Sequence, residues 1–571
     1  MYKQDYFSRE YGSTKKKWKG SVPVALLFPN LYRIGMSNLG FQLVYAMINR
    51  HPEIVCERFF LPDIDGDMPK SIESGRLLAD FPFIFCSVSF ENDFPGIVRI
   101  FQLAGLVPLA EDRSKASFLE PGNPLIIGGG VATFINPEPL ALFFDLFILG
   151  EAEPVLPGIL EVLVNGTSAK DRESLLWELS LEHQGCYVPG FYNVAYGADL
   201  TIESVKPLKS LPARIKTVVH TGADQVGCST ILTPDAEFSD LFLSELGRGC
   251  SRGCRFCAAG FVYRPPRLWK SDAVLKALKQ RPAHIDRVGL LGMEMTSTED
   301  LQIISRYLLK EECSLSFSSL RADRISPELI EVLKKSGLKS AAIAPDGGSQ
   351  RLRQVINKGL DEDDLLSAAE LLAGAGIQNL KLYFMIGLPT EEQEDLEELV
   401  LLVHKIKKEI LKVGRSRGKL LSLILSVNCF VPKAWTPFQY HPFEEVASLK
   451  TKLKFLKKSF AGEANISLKA DQPGHALLQA MLARGDRRIG QGLLSYGGKG
   501  NWKQIFKQEG LMPEMYATRI RGKDEIFPWD LLDHGISREY LWKEYQRALA
   551  GKSTKSCDTE KCRKCGVCID N

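Results

Sequence analysis

Three cysteines stand close together at Cys250, Cys254 and Cys257, in the run Glu245-Leu-Gly-Arg-Gly-Cys-Ser-Arg-Gly-Cys-Arg-Phe-Cys257. A cubane iron–sulfur cluster normally takes four thiolates. Three ligands from one short loop leave one iron open, and an open iron can bind a small molecule and pass it an electron. The alternative is a zinc knuckle or a group of buried thiols. Structural zinc wants four closed ligands, and the next donors along the chain are His220, Cys228 and His284.

A second set closes the sequence: Cys557, Cys562, Cys565 and Cys568, spaced C-x4-C-x2-C-x2-C. Four thiols can complete a metal site by themselves. The spacing is ferredoxin-like and suits an auxiliary iron–sulfur cluster; structural zinc is the rival. The Ser/Lys-rich stretch before it, 551–556, reads as flexible. Seven of the thirteen cysteines fall in these two sets, which suits metal ligation in a reducing compartment better than a disulfide framework.

The elements that must position the first set alternate between strand and helix. Candidate strands cover 241–246, 287–292, 314–319, 340–344, 379–387 and 421–431. One helix is well marked between them. Ser326 is its N-cap, Pro327 holds the first helical position, Leu329, Ile330 and Leu333 form its apolar stripe, and Gly337 ends it. Another begins near Asp361, with Leu365, Leu366, Ala369 and Leu372 on one face. Alternating β and α elements predict a parallel sheet.

The C-x3-C-x2-C spacing, with Gly249 before the first cysteine and Phe256 before the third, resembles the motif of the radical SAM superfamily. The six βα units resemble that family's partial (β/α)6 TIM-type barrel, whose active site lies at the strand C-termini. The resemblance implies that Cys250, Cys254 and Cys257 hold a [4Fe-4S] cluster. Its open iron chelates S-adenosylmethionine (SAM), and one electron cleaves the sulfonium to a 5′-deoxyadenosyl radical. Gly292 and Glu294 match the family's Gly-Gly-Glu-like stretch that meets the methionyl amino group. Ser318 and Arg321 end the third strand, and Asp346 and Ser349 follow the fourth, where relatives place Glu or Gln near the ribose or substrate. Gly387 opens a stretch like the adenine-side Gly-x-Pro-x-Glu. With Phe256, these are the expected cofactor-binding residues. For each alone, a helix cap or an ordinary turn is the competing explanation.

Upstream, buried strands are expected at 22–28, 54–61, 83–89, 123–127 and 146–149, with helices at 39–49, 71–79, 95–104 and 137–144. This is a doubly wound, Rossmann-like pattern of flavodoxin-like order, with its ligand crevice beyond the strand carboxyl ends. The stretch with Gly128, Gly129 and Gly130, then Asn136-Pro-Glu-Pro, Asp145 and Gly150-Glu-Ala-Glu153, resembles cobalamin-binding domains fused to radical SAM barrels. Relatives that ligate cobalt from below use Asp-x-His-x-x-Gly after the first strand. Here that loop, 29–38, holds no histidine, and His51 lies beyond the following helix. Two readings stay open: cobalamin bound without a protein imidazole, or a scaffold that only shapes the substrate cleft. Cys56 and Cys86 read as core thiols.

The 571 residues divide as 1–185, the cobalamin-binding-like domain; 186–237, a linker with short strands; 238–465, the barrel; 466–550, an α-rich region; and 551–571, the tail. Trp502, Trp529 and Trp542 suggest that the α-rich region has its own apolar packing. The cluster Arg484-Gly-Asp-Arg-Arg488 reads as a solvated helix end, the alternative being contact with a substrate phosphate or carboxylate. No apolar run is long enough to span a membrane, and the lysine-rich start shows no signal core, so a cytoplasmic location is expected.

A net charge of +3 gives no support for RNA as a partner. The expected reaction is C–H activation of a substrate the sequence does not name, with methyl transfer if cobalamin binds. Flavodoxin or ferredoxin is the expected electron donor. A methylthiotransferase-like RNA-modifying enzyme and a non-catalytic iron–sulfur or zinc scaffold are the alternatives.

Overall fold

The computed structural model describes all residues except 1–4, 117, 118, 120, 167–170, 223, 224, 293, 295, 296, 318, 417–420 and 569–571. Near-continuous apolar runs make the first sheet, as expected for strands covered on both faces. Its strands are β1 (Val22–Leu31), β2 (Ile54–Leu61), β3 (Phe83–Ser87), β4 (Leu125–Gly129), β5 (Leu146–Ile148) and β6 (Cys186–Tyr187). They lie in the order β2-β1-β3-β4-β5-β6. The first five are parallel and β6 is antiparallel. This is the flavodoxin-like order, and the chain reverses direction across the sheet between β1 and β3, where such folds open a crevice.

Two expected helices do not form. Residues 71–79 make turns and a bridge from Lys70 to Leu77, followed by a short 3-10 turn, Leu78–Asp80. Gly75 has a φ of +75°, and Glu73 is drawn under the buried Arg58, which donates from Nε at 2.6 Å. Residues 137–144 hold only the 3-10 turn Glu138–Leu140, because Pro139 removes a helical donor. The segment expected as a linker contributes β6, the antiparallel hairpin β7 (Tyr192–Tyr196) and β8 (Ile202–Pro207), and a short strand β9 (Ile215–Lys216).

The barrel strands are β10 (Phe242–Glu245), followed by the small ribbon β11 (Gly247–Arg248) and β12 (Arg267–Leu268) that frames the cysteine loop. Then come β13 (Arg287–Leu291), β14 (Ser314–Phe317), β15 (Ser340–Asp346), β16 (Asn379–Ile386), β17 (Ser422–Cys429) and β18 (Ile466–Ala470). Strands β10-β13-β14 form one parallel sheet and β15-β16-β17-β18 another. A single parallel bridge, Leu320 to Ile343, joins them into one open run of seven strands. The seventh, β18, was not expected; its burial is only intermediate, so it lacks a continuous apolar signal. Last, β19 (Leu532–Asp533) pairs with β9 and ties the C-terminal region to the first domain.

The C-terminal region does not pack as a separate unit. Trp502 and Trp529 belong to the same apolar core as β1 and β16, and Trp542 packs edge-on against Tyr440. One smaller core fills the space behind β10, β13 and β14. Among the described residues, no helix is long and apolar enough to cross a membrane.

Gly150 shows how closely the linker approaches. It has a φ of +124°, and a Cβ there would stand 2.2 Å from the Val218 carbonyl. Gly150→Ala is therefore expected to lower stability by about 3 kcal/mol, whereas Gly374→Ala, in a helix with open space around it, should raise it by up to about 0.8 kcal/mol. Urea midpoints of the two variants check both signs.

Candidate functional site

The cysteine loop leaves the carboxyl end of β10, and its non-cysteine residues are held one by one. Ser251 donates from its backbone N–H and from Oγ to Glu294, both at 2.6 Å. The Gly253 carbonyl accepts from Asn357 at 3.1 Å. Arg255 is fully buried and donates to the carbonyls of Val355 and Lys552, at 2.8 and 2.6 Å, and to Glu544, at 3.1 Å from Nη2. Residues 251, 253 and 255 are thus fastened, and none of these bonds engages a cysteine side chain.

The three thiols sense one another's charge. Burial, with smaller contributions from the neighbouring thiols, pushes Cys250 up to about 12 and Cys257 to about 11, and burial raises Cys254 as well. Such thiols ionise on binding a metal, which releases their protons. Among the described residues, no three His, Cys, Asp or Glu side chains converge as donors to one ion. A cluster of several irons spreads its thiolates more widely than one ion does, and the all-sulfur donor set fits an iron–sulfur cluster.

The rim residues divide into two groups. Gly292 lines a cavity beside the loop, and Glu294 supports Ser251. Phe256 is half-buried with Lys358 Nζ 5.9 Å from its ring centre. Asp346 has a φ of +60° and is ion-paired with Lys358. Gly387, at the end of β16 with a φ of +79°, donates its N–H to Glu391 at 3.0 Å. The remaining rim residues have internal work. Arg321 is ion-paired with Asp323, at 2.7 Å, and donates from Nη2 to the carbonyls of Lys358 and Gly359. Ser349 is buried, caps the helix Gln350–Val355 and donates to Asp395. Ser318 lies outside the described residues.

A cavity of about 520 Å³ separates the strand ends of the first domain from those of the barrel. Gly128, Gly129 and Gly130 form part of its wall, with Ser87 beside Gly129 in the same sheet and Arg248 and Gly292 contributed from the barrel side. A Cβ on Gly129 would meet only one protein atom, at 3.8 Å, so that glycine opens the cradle. Gly130, at a φ of +104°, lies against Val88 with no room for a Cβ. Cys86 also lines the cavity, which adds a surface role to a thiol expected only in the core. No histidine lines it; His51 caps a helix end and pairs with Glu161 at 3.1 Å.

One group of residues gave no warning of its role. Glu151 and Glu153 reach from the first domain to arginines flanking the cysteine loop. Arg248 bonds Glu153 at 2.7 Å and approaches Glu151 at 3.4 Å and Glu245 at 3.0 Å. Arg267 forks onto Glu151 at 2.6 and 3.0 Å. Burial opposes the charge on Arg248, but Glu245 and Glu153 hold its pKa well above the usual value. Burial likewise opposes the Glu153 carboxylate, and the bond from Arg248 prevails and keeps its pKa below the usual range. The motif was legible; its partner was not, because the two lie almost a hundred residues apart.

The tail is docked by hydrogen bonds as far as Cys565. Thr554 donates its N–H to Asn357 at 2.7 Å, and Cys557 donates its N–H to the Ser251 carbonyl at 2.7 Å. Ser537 bonds the Cys565 carbonyl at 2.8 Å. Arg264, which follows the first cysteine set, lies against Cys565 and Tyr540. The four tail thiols also feel one another's charge. One hydrogen bond therefore joins the two cysteine sets directly.

The family model described as radical SAM proteins, N-terminal, matches residues 40–189, and that of the radical SAM superfamily matches 244–403. An uncharacterized protein of Methanocaldococcus jannaschii is 29% identical over 469 residues, covering 82% of this chain and 89% of its own. A mitochondrial lipoyl synthase of Ostreococcus lucimarinus is 23% identical over 212 residues, 36% of this chain and 52% of its own. Among solved structures, the cobalamin-dependent SAM radical enzyme OxsB with aqua-cobalamin bound aligns with 87% of this chain and 72% of its own, at 16% identity and a TM-score of 0.48. The radical SAM methyltransferase TsrM from Kitasatospora setae, with cobalamin and a [4Fe-4S] cluster bound, aligns with 86% of this chain and 99% of its own, at 12% identity and a TM-score of 0.46.

Removing one partner of a buried pair strands the other charge. Glu151→Gln is expected to destabilise the protein by about 3–5 kcal/mol, read from chemical denaturation. Because the Glu153 pKa is depressed by folding, its contribution is complete above the ordinary glutamate value and is lost as pH falls through the depressed one. Wild-type stability should therefore fall on acidification below about pH 4.3, and Glu153→Gln should flatten that part of the profile.

Proposed function

This chain is a radical SAM protein, and we propose that it reductively cleaves SAM at a [4Fe-4S] cluster held by Cys250, Cys254 and Cys257 and activates a C–H bond of a substrate lying in the interdomain cavity. The observation that carries this reading is the loop itself: residues 251, 253 and 255 are fixed by the barrel and the tail, its thiols feel one another's charge, and Arg248, two residues before Cys250, lines the cavity. When bound, the cluster supplies SAM with one electron, and the cleaved cofactor supplies the reactivity that side-chain acid–base chemistry lacks for an unactivated carbon.

The chain's own residues would position and screen. Glu294 orders the loop through Ser251. Asp346 and Lys358 form a buried pair beside Phe256, and Gly387 presents backbone at the end of β16 for a planar ring. The glycine-lined wall opposite would hold cobalamin, which would supply methyl-transfer chemistry there; no histidine lines the cavity. Cys557, Cys562, Cys565 and Cys568 would hold an auxiliary iron–sulfur centre in the tail, and the backbone bond from Cys557 to Ser251 keeps that set next to the first.

Anaerobic protein reconstituted with iron and sulfide, given SAM and a strong reductant, should release 5′-deoxyadenosine. A variant with Cys250, Cys254 and Cys257 all changed to Ala should release none. An iron-loaded wild type that yields no product would count against the reading. Changing all four tail cysteines to Ser should lower bound iron about twofold; equimolar zinc in the wild type, lost in that variant, would assign the tail to zinc.

A further inference from the structure

Arg264 follows the first cysteine set, in the segment that returns from the loop to β12. It is only 5% exposed, and a buried guanidinium is costly unless its charge is balanced. Among the described residues, no carboxylate forms an ion pair with it. Its neutral contacts are specific. Nε donates to the Gly260 carbonyl at 3.0 Å, and Nη1 donates to the Tyr540 hydroxyl at 3.4 Å. The guanidinium lies over the Phe261 ring, 4.4 Å from its centre. Burial raises the Tyr540 pKa, so that hydroxyl stays neutral and does not balance the charge.

The ionisable groups left beside Arg264 are the tail thiols. Its side chain lies against Cys565, and its charge also reaches Cys557 and Cys568. The helix Arg538–Leu549 brings them together. Ser537, at the start of that helix, donates its N–H to the Cys565 carbonyl at 2.8 Å and accepts the Tyr540 N–H on Oγ at 3.4 Å. Tyr540 in turn meets Arg264. The helix N-terminus, which carries partial positive charge, therefore also stands by Cys565. From Arg264 a path runs back to the first set, because Gly260 donates its N–H to the Cys257 carbonyl at 3.1 Å.

Four thiolates around an iron–sulfur core leave a net negative charge, which grows when the core takes up an electron. Cys565 and Cys568 are buried, so water screens that charge poorly. Taking the tail cluster proposed above as its premise, we propose that Arg264 is the countercharge of an iron–sulfur cluster held by Cys557, Cys562, Cys565 and Cys568, and that it raises the reduction potential of that cluster. Arg264 is a positioning residue: it meets a cluster ligand, not SAM or substrate. A fixed positive charge favours the reduced, more negative form over the oxidised one. A charge-assisted contact of this kind is worth about tenfold in the equilibrium between the two forms.

The test is a redox titration of the anaerobic, iron-loaded full chain with dithionite, which supplies one electron to each cluster. Electron paramagnetic resonance follows the tail signal, the one that SAM leaves unmoved. The readout is a potential, so it does not depend on SAM cleavage. Arg264→Gln removes the charge and should lower the tail potential by about 59 mV, the one-electron equivalent of tenfold. A residue that merely held the tail in place would change how much iron is bound, not the potential of the cluster that remains. Arg264→Lys keeps the charge and should hold the wild-type potential. If Arg264→Gln fails to fold or to load the tail, Arg264→Lys decides: a wild-type potential supports the role of charge, and a tenfold fall overturns it. An unchanged potential in Arg264→Gln would overturn the proposal while leaving the tail cluster standing. A wild-type tail filled with zinc would give no such signal, and would remove the tail-cluster reading and this proposal together.

Discussion

The clasp of Glu151 and Glu153 on Arg248 and Arg267 is the contact on which the geometry of the site depends. It is short, branched and almost shielded from water, with two carboxylates from one domain and two arginines from the ribbon framing the cysteine loop. Such pairs add little net stability over well-packed apolar groups, because the charges must first be stripped of water. Their effect is on register. A guanidinium forked onto a carboxylate tolerates little sliding, so the glycine-lined strand ends of one domain and the cysteine loop of the other meet across a single cavity.

A second set of contacts works from the opposite side. Arg255, inside the cysteine motif, is held by Glu544 and by the Lys552 carbonyl, while Cys557 grips Ser251. The loop is therefore pinned between the first domain and the tail. Three soft ligands on a mobile loop would bind a cluster poorly, since ordering them would cost conformational entropy. Here that ordering is supplied by contacts that leave the thiols unused. The same contacts bring the two cysteine sets into one assembly, although almost three hundred residues separate them.

Much of this was legible in the sequence, for identifiable reasons. Apolar runs and capping signals are local, so the parallel strands and the helix begun by Ser326 and Pro327 could be read directly. The flavodoxin-like order followed from their succession. Signals that depend on distant partners could not be read. Glu73 looks like a helical residue until Arg58 pulls it beneath the sheet. Arg321 and Ser349 have the types expected of ligand contacts, and in the fold Ser349 donates to Asp395 while Arg321 pairs with Asp323 and donates from Nη2 to backbone carbonyls. The stretch 551–556 has the composition of a flexible linker, and only Asn357 and Glu544 reveal it as a strap. Arg484 looks solvated in sequence and is the least exposed arginine of its cluster in the fold.

The central claim is that Cys250, Cys254 and Cys257 hold a cluster with an iron open to SAM. Electron paramagnetic resonance of the reduced, iron-loaded protein, recorded with and without SAM, tests it most directly. A tail cluster with four thiolates has no open iron, so its signal should not respond to SAM and cancels in the difference. The account predicts that SAM shifts the g values of one reduced cluster, and that the shift disappears when the three loop cysteines are replaced. A spectrum unchanged by saturating SAM, in protein carrying its full iron, would contradict it.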